Sequence, residues 1–207
     1  MIAKTDIVRL KVTLDDVEPK VTRQFIVPLG IRLDRLHLVM QIAMGWTNSH
    51  LWEFRARGCG WGPIDPGSDP DWPDGPSDAA KATLLAVVED TGAKSLKYLY
   101  DFGDGWEHTV KLDRIFKAQP GDKEACPMLL AAVGRCPPED IGGPWGYAEY
   151  LEAIKDPDHE RHDEFTEFYD PDFDPTLVPT DHINTEFAKL AKRWAPRPRK
   201  KATRKLH

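Results

Sequence analysis

Two alternating stretches, residues 95–102 and 106–116, flank Gly103-Asp104-Gly105. Asp-Gly between such runs favours a type I′ hairpin, whose two central residues need positive φ. A two-residue turn at Asp104-Gly105 puts Asp101 opposite His108, with Cβ atoms about 4.5–5.5 Å apart. A carboxylate beside an imidazole orients the ring and raises its basicity, so the pair suits a general base or a metal ligand with its supporting partner. It also reads as a cross-strand ion pair on a half-buried sheet beside Trp106, the reading favoured when no nucleophile is in view. A one-residue bulge would send the two side chains to opposite faces.

Three further groups carry chemistry-bearing side chains. His159, His162 and Asp163 have helical spacings, with His162 at i+3 and Asp163 at i+4 from His159. A divalent metal ion is the cofactor such spacings suit, with a further ligand from His37, His50 or His108. The same Asp-rich stretch also reads as a capped helix start. Pro137-Pro138-Glu139-Asp140-Ile141-Gly142-Gly143 is a stiff loop that presents Glu139 and Asp140, either to a ligand or to a helix start near Pro144. It is no phosphate cradle, because it lacks GxxxxGK[ST] and is acidic. Cys126 and Cys136 read as small core residues, and Cys59 as an accessible thiol. Trp61 and Trp72 lie in a Pro/Gly/Asp-rich loop over 57–78 and suit a recognition surface, together with Asp104 and Trp106 at the hairpin. Trp46, Trp52, Trp106 and Trp145 read as core and rim, and His37 as a hydrogen-bonded core histidine.

The elements that must position these groups follow from periodicity. Residues 7–14 alternate with Val8, Leu10, Val12 and Leu14 on one face, and 21–28 form a second strand, so a hairpin is expected. Leu33, Leu36, Met40 and Ala43 mark a helix over 33–44 that stops at Gly45. Residues 50–56 read as a strand and 79–89 as a short helix. Helices are expected over 145–155, 159–169 and 181–194. Strands first and helices later predict an α+β fold: an antiparallel β-sheet built from hairpins, packed with helices mainly from the C-terminal half. Residues 1–194 read as one domain and 195–207 as a basic disordered tail.

The chain has 207 residues, of which 41% are hydrophobic and 30% charged, enough for a packed core. No run approaches the ~20 apolar residues of a membrane span. The first residues lack an apolar leader segment, and three cysteines form no CxxC, so the cytoplasm is the default address. Net charge is -6, but residues 189–207 hold nine Lys/Arg and no acid, which leaves -15 for the rest. Arg197, Arg199, Lys200 and Lys201 in the tail are suited to nucleic-acid phosphates. A solubilising terminus reads the same way.

LHLVMQIAMGW (36–46), HLWEF (50–54), YLYDFGDGWEHTVKL (98–112) and CPPEDIGGPWGYAEYLEAIKDPDHERHDEF (136–165), with FDP (173–175), occur in that order. This set resembles the plasmid pRiA4b ORF-3-like family over roughly residues 5–190. The resemblance implies a compact α+β fold and a plasmid or mobile-element setting, where some members carry a resolvase or TnpR label. It implies no particular reaction. Resolvase chemistry is not expected here: the first serine is Ser49, and no Arg/His cluster surrounds Tyr98, Tyr100, Tyr147, Tyr150 or Tyr169. With no complete catalytic set visible, the sequence favours an accessory binding or interaction module, with nucleic acid or a protein as partner and no membrane. The rival is a metal-dependent hydrolase or nuclease that draws on Asp101, His108, Glu139 and Asp140.

Overall fold

Alternation builds the centre of the sheet. Val8, Leu10, Val12 and Leu14 of β1 (Ile7–Leu14) and Val21, Phe25 and Val27 of β2 (Val21–Pro28) are all buried on one face. A computed structural model describes residues 3, 5–64, 75–122 and 126–195. Helix α1 (Leu33–Met44) follows β2, then β3 (Trp52–Ala56), β4 (Cys59–Gly62), β5 (Ser77–Asp78) and α2 (Leu84–Thr91). The central hairpin is β6 (Ser95–Tyr100) and β7 (Trp106–Phe116). Strand β8 (Met128–Val133) precedes α3 (Gly143–Ala153), α4 (His162–Phe168) and α5 (Thr180–Trp194).

The eight strands form one sheet in the order β5-β4-β3-β6-β7-β1-β2-β8. Every neighbouring pair is antiparallel except β4 and β5, which are parallel. The fold is α+β, as the strand-then-helix order predicts. The sheet is mixed, because the short β5 adds alongside β4 in its own direction. Leu36, Val39, Met40 and Ala43 of α1 belong to the buried core with β1 and β2, and α5 adds Ile183, Phe187 and Leu190. Phe187 meets Phe25 edge-on, with ring centroids 6.0 Å apart. Among the described residues no helix is long and apolar enough to cross a membrane.

The stretch over 57–78 is not a continuous loop. Cys59–Gly62 and Ser77–Asp78 are strands, where the sequence leads one to expect loop throughout. Trp61 pairs with Phe54 across β3 and β4 and packs partly buried on the core, so it sits on a strand and not in a loop. Trp72 and the tail residues Arg197, Arg199, Lys200 and Lys201 lie outside the described residues.

The largest correction concerns the hairpin. Tyr100 pairs with Trp106 and Tyr98 with His108, so Asp101 is not opposite His108. The cause is local. Asp101 adopts φ +54, donates its N–H to Leu51 O at 2.9 Å, and accepts Gly105 N–H at 2.7 Å on its carbonyl. Its carboxylate also accepts the Gly103 N–H at 2.9 Å. The chain therefore leaves the ladder at Asp101 and returns at Trp106 through a five-residue loop.

Candidate metal centre

Three loops meet where β6 ends. The first leaves α1 at Gly45, whose φ of +86 ends the helix in the left-handed conformation that glycine tolerates. Trp46 then stacks on Tyr100 with centroids 4.9 Å apart, and its indole N–H donates to Pro137 O at 3.0 Å. Asn48, at φ +62, accepts the His37 Nε2–H on its side-chain oxygen and donates its backbone N–H to Gln41 Oε1 at 3.0 Å. The Ser49 N–H reaches the Tyr100 hydroxyl at 3.2 Å. These contacts fix the loop immediately before His50.

The second loop is Asp101–Gly105. The third is the Pro-Pro-Glu-Asp stretch, and Glu139 fastens it to the first. The Glu139 carboxylate accepts from Thr47 N at 2.9 Å, from Thr47 Oγ1 at 2.5 Å and from the Tyr100 hydroxyl. Hydrogen bonds to a charged acceptor are the stronger kind. Burial, reinforced by this carboxylate, pushes the Tyr100 phenol up to about 12. Glu139 thus acts as a latch rather than as a free carboxylate.

Gly143 lets the start of α3 touch the second loop, and Gly146 lets α3 close against the third. A Cβ on Gly143 would lie 2.3 Å from Asp104 O, and Gly143 also has φ +71. A Cβ on Gly146 would lie 1.9 Å from Ile141 O. The start of α3 is therefore seated on the backbone of Asp104, whose side chain accepts the Gly142 N–H at 3.2 Å. Asp104 is a positioning residue in this arrangement.

Between the three loops stands His50. Its Nδ1 is 3.6 Å from Asp101 Oδ2, and its Nε2 is 3.1 Å from Asp140 Oδ1. Neither contact is a hydrogen bond. The first is too long, and the second lacks an aligned N–H, which leaves a buried Nε2 with no hydrogen-bond partner. One ligand atom from each of His50, Asp101 and Asp140 lies within 4.8 Å of the others. Ligands ~2.1 Å from a cation span up to ~4.2 Å across it, so a small closure completes the set. Asp101 is buried, whereas the Asp140 side chain is 72% exposed and opens the group to solvent. Asp140, like Asp101, has positive φ, +58. Such backbone strain gathers at functional sites and persists because surrounding contacts enforce it. Here the Tyr169 hydroxyl holds Asp140 O at 2.7 Å.

The other candidates lie elsewhere. His108 is fully buried; its Nδ1–H points at Tyr98 O and Trp106 O, both at 3.1 Å, and its ring meets Trp46 edge-on. Trp106 is fully buried too, as its core reading expects, so it offers no binding surface. His159 precedes α4 instead of sharing its face; its Nδ1 accepts the Arg161 N–H at 3.1 Å. His162 donates to Ala153 O at 2.7 Å, and Asp163 sits exposed in the first turn of α4. Among the described residues these three form no ligand group. Cys126 and Cys136 are buried and Cys59 exposed, as expected. Trp145 is 89% exposed, contrary to a core or rim position: it lies in the first turn of α3, off the face that buries Tyr147, Tyr150 and Leu151.

His37 and His108 make a pH prediction. Burial pushes each imidazole down to about 4. Unfolded, both titrate near 6.5. Between those values the unfolded chain binds protons that the folded chain refuses, so stability is full above ~6.5 and falls as pH drops towards ~4. Each buried ring contributes roughly 3 kcal/mol to that fall. Urea-unfolding midpoints should decline steadily across this window, and a flat profile contradicts the assignment.

Residues 6–182 match the family described as plasmid pRiA4b ORF-3-like protein. The chain is 55% identical over 196 residues to "Uncharacterized protein y4hQ" of Sinorhizobium fredii (strain NBRC 101917 / NGR234), covering 94% of this chain and 97% of that one. It is also similar to the crystal structure of "Protein of Unknown Function MM3350" from Methanosarcina mazei Go1. That match has a TM-score of 0.72 and 30% identity, over 85% of this chain and 96% of the other. With residues 6–182 matched, the chain belongs to the plasmid pRiA4b ORF-3-like family.

Proposed function

We propose that the chain is a divalent-metal-binding protein that acts as a metal-dependent hydrolase through His50, Asp101 and Asp140. The observation that carries this reading is the His50 ring set between two carboxylates from separate loops, with its buried Nε2 left without a hydrogen bond. One imidazole and two carboxylates leave coordination positions for water and substrate. A cation held by these three residues would supply Lewis-acid chemistry, making a bound water acidic enough to act as a nucleophile near neutral pH. The bond such a centre would hydrolyse is a P–O bond of a phosphodiester, which would enter on the exposed Asp140 side. The convergence favours this reading over the purely accessory module that the sequence favours.

Two features support contact with a macromolecule. Trp145 is almost wholly exposed, and Phe102, next to Asp101, is 52% exposed. The basic tail would add phosphate affinity that weakens steeply with salt.

Hydrolysis of bis-p-nitrophenyl phosphate by chelator-stripped protein reloaded with Mn²⁺ or Zn²⁺ tests the proposal. The expected result is metal-dependent nitrophenolate release that falls at least ~100-fold in His50→Ala, a loss of ~2.7 kcal/mol in transition-state stabilisation. Equal rates for wild type and His50→Ala would refute it.

A further inference from the structure

Arg23 lies on the core face of β2, between Val21 and Phe25, and is 1% exposed. Its Nε donates to Ala43 O at 2.7 Å. Its Nη1 donates to Thr22 O at 2.9 Å, Val133 O at 3.0 Å and Gly134 O at 2.9 Å. Among the described residues Nη2 has no acceptor, and no carboxylate forms an ion pair with this guanidinium. A fully buried arginine without a counter-ion is rare, because carbonyls satisfy its donors but leave its charge uncompensated. Burial accordingly pulls the guanidinium below its ordinary value.

Arg23 lines a cavity of about 380 Å³ between the end of α1, the Arg135–Glu139 stretch and the start of α5. Arg135 lines it as well, stacked 4.3 Å over Phe173. Two acids also face the cavity, and both are engaged. Glu139 is held by Thr47 and Tyr100, and Asp170 lies 3.3 Å from Arg135 Nη1. The charge left without a partner is that of Arg23.

We propose that this cavity binds a small oxyanion, a carboxylate or phosphate group, with Arg23 Nη2 as its anchor and Arg135 as the second cation. Planar guanidinium donors match both anions. The proposal is independent of the metal reading, since no residue of the His50 group lines the cavity.

The test uses the full chain, stripped of metal by chelator. Amide and guanidinium 1H–15N spectra are followed during titration with sodium phosphate and, separately, sodium acetate, with sodium chloride as the ionic-strength control. The expected result is a saturable shift of the Arg23 Nε–H resonance, with a Kd of about 1 mM or tighter for one anion or both. A response to phosphate alone assigns a phosphate group, and a response to acetate alone a carboxylate. Arg135→Gln should weaken binding about 10-fold, and Arg23→Lys about 10- to 100-fold. If Arg23→Lys fails to fold, the wild-type resonance and Arg135→Gln decide. No saturable shift with either anion would overturn the proposal and leave Arg23 as a clamp joining β2, β8 and α1. Binding that moves neither the Arg23 resonance nor responds to Arg135→Gln would overturn it too.

Discussion

Asp101→Asn should lower the affinity for Mn²⁺ or Zn²⁺ at least ~100-fold, beyond the ~10–100-fold expected when only a supporting residue is changed. The fold should survive the change. Asparagine tolerates positive φ better than other non-glycine residues, so the φ of +54 is retained at little cost. Its side-chain oxygen can still accept the Gly103 N–H that shapes the loop. What disappears is the negative charge facing His50 Nδ1. Calorimetric titration of stripped wild-type and variant protein, with thermal melts alongside, separates the two effects. Glu139→Gln is the comparison: Glu139 holds the loops together without joining the ligand group, so its effect on affinity should be smaller. A variant Asp101→Asn that binds metal as tightly as wild type would remove Asp101 from the centre.

The second large effect concerns Gly143. Alanine there brings its Cβ to 2.3 Å from Asp104 O, at a φ that L-residues rarely adopt. Neither partner can yield cheaply, because both are backbone. The expected cost is about 3 kcal/mol, combining left-handed strain with overpacking. For a domain of this size that lowers Tm by roughly 10 °C. Gly105→Ala isolates the strain: Gly105 has φ +70, but its Cβ would meet nothing within 4 Å, so about 1 kcal/mol is expected. Because α3 is seated on the loop that carries Asp101, Gly143→Ala should weaken metal binding as well, whereas Gly105→Ala should do so less. Equal melting temperatures for the two variants would contradict the packing of α3 on Asp104.

Much of the fold was legible where burial on one face imposes a period. The alternation of β1 and β2 and the helical stripe of α1 match the observed Ile7–Leu14, Val21–Pro28 and Leu33–Met44. Strand β8 was not legible, since its Met-Leu-Leu-Ala-Ala-Val run lies at the sheet edge with little alternation of burial. Strands β4 and β5 were hidden because Gly/Pro/Asp composition reports local preference, while Trp61 pairs with Ser77 across a long excursion.

The candidate centre was half legible. Asp101 and Asp140 stood out by their turn and proline neighbours, but their common partner is His50, not His108. No local pattern joins His50 to carboxylates so distant in sequence; only the convergence of three loops does. The hairpin signal at Asp104-Gly105 was sound in kind and misleading in register, because Asp101 spends its backbone on Leu51 and Gly105 instead of the ladder. Arg23 did leave a signal: a charged residue among Val21, Phe25 and Val27 on the inward face of an alternating strand.

The most direct measurement is an anomalous-difference Fourier map from crystals of the full chain soaked in Mn²⁺ or Zn²⁺. The expected result is a peak ~2.0–2.2 Å from a His50 nitrogen and from carboxylate oxygens of Asp101 and Asp140. A peak confined to other residues, or none while His50 forms aligned hydrogen bonds to both carboxylates, would show a proton-bridged histidine and contradict the metal centre.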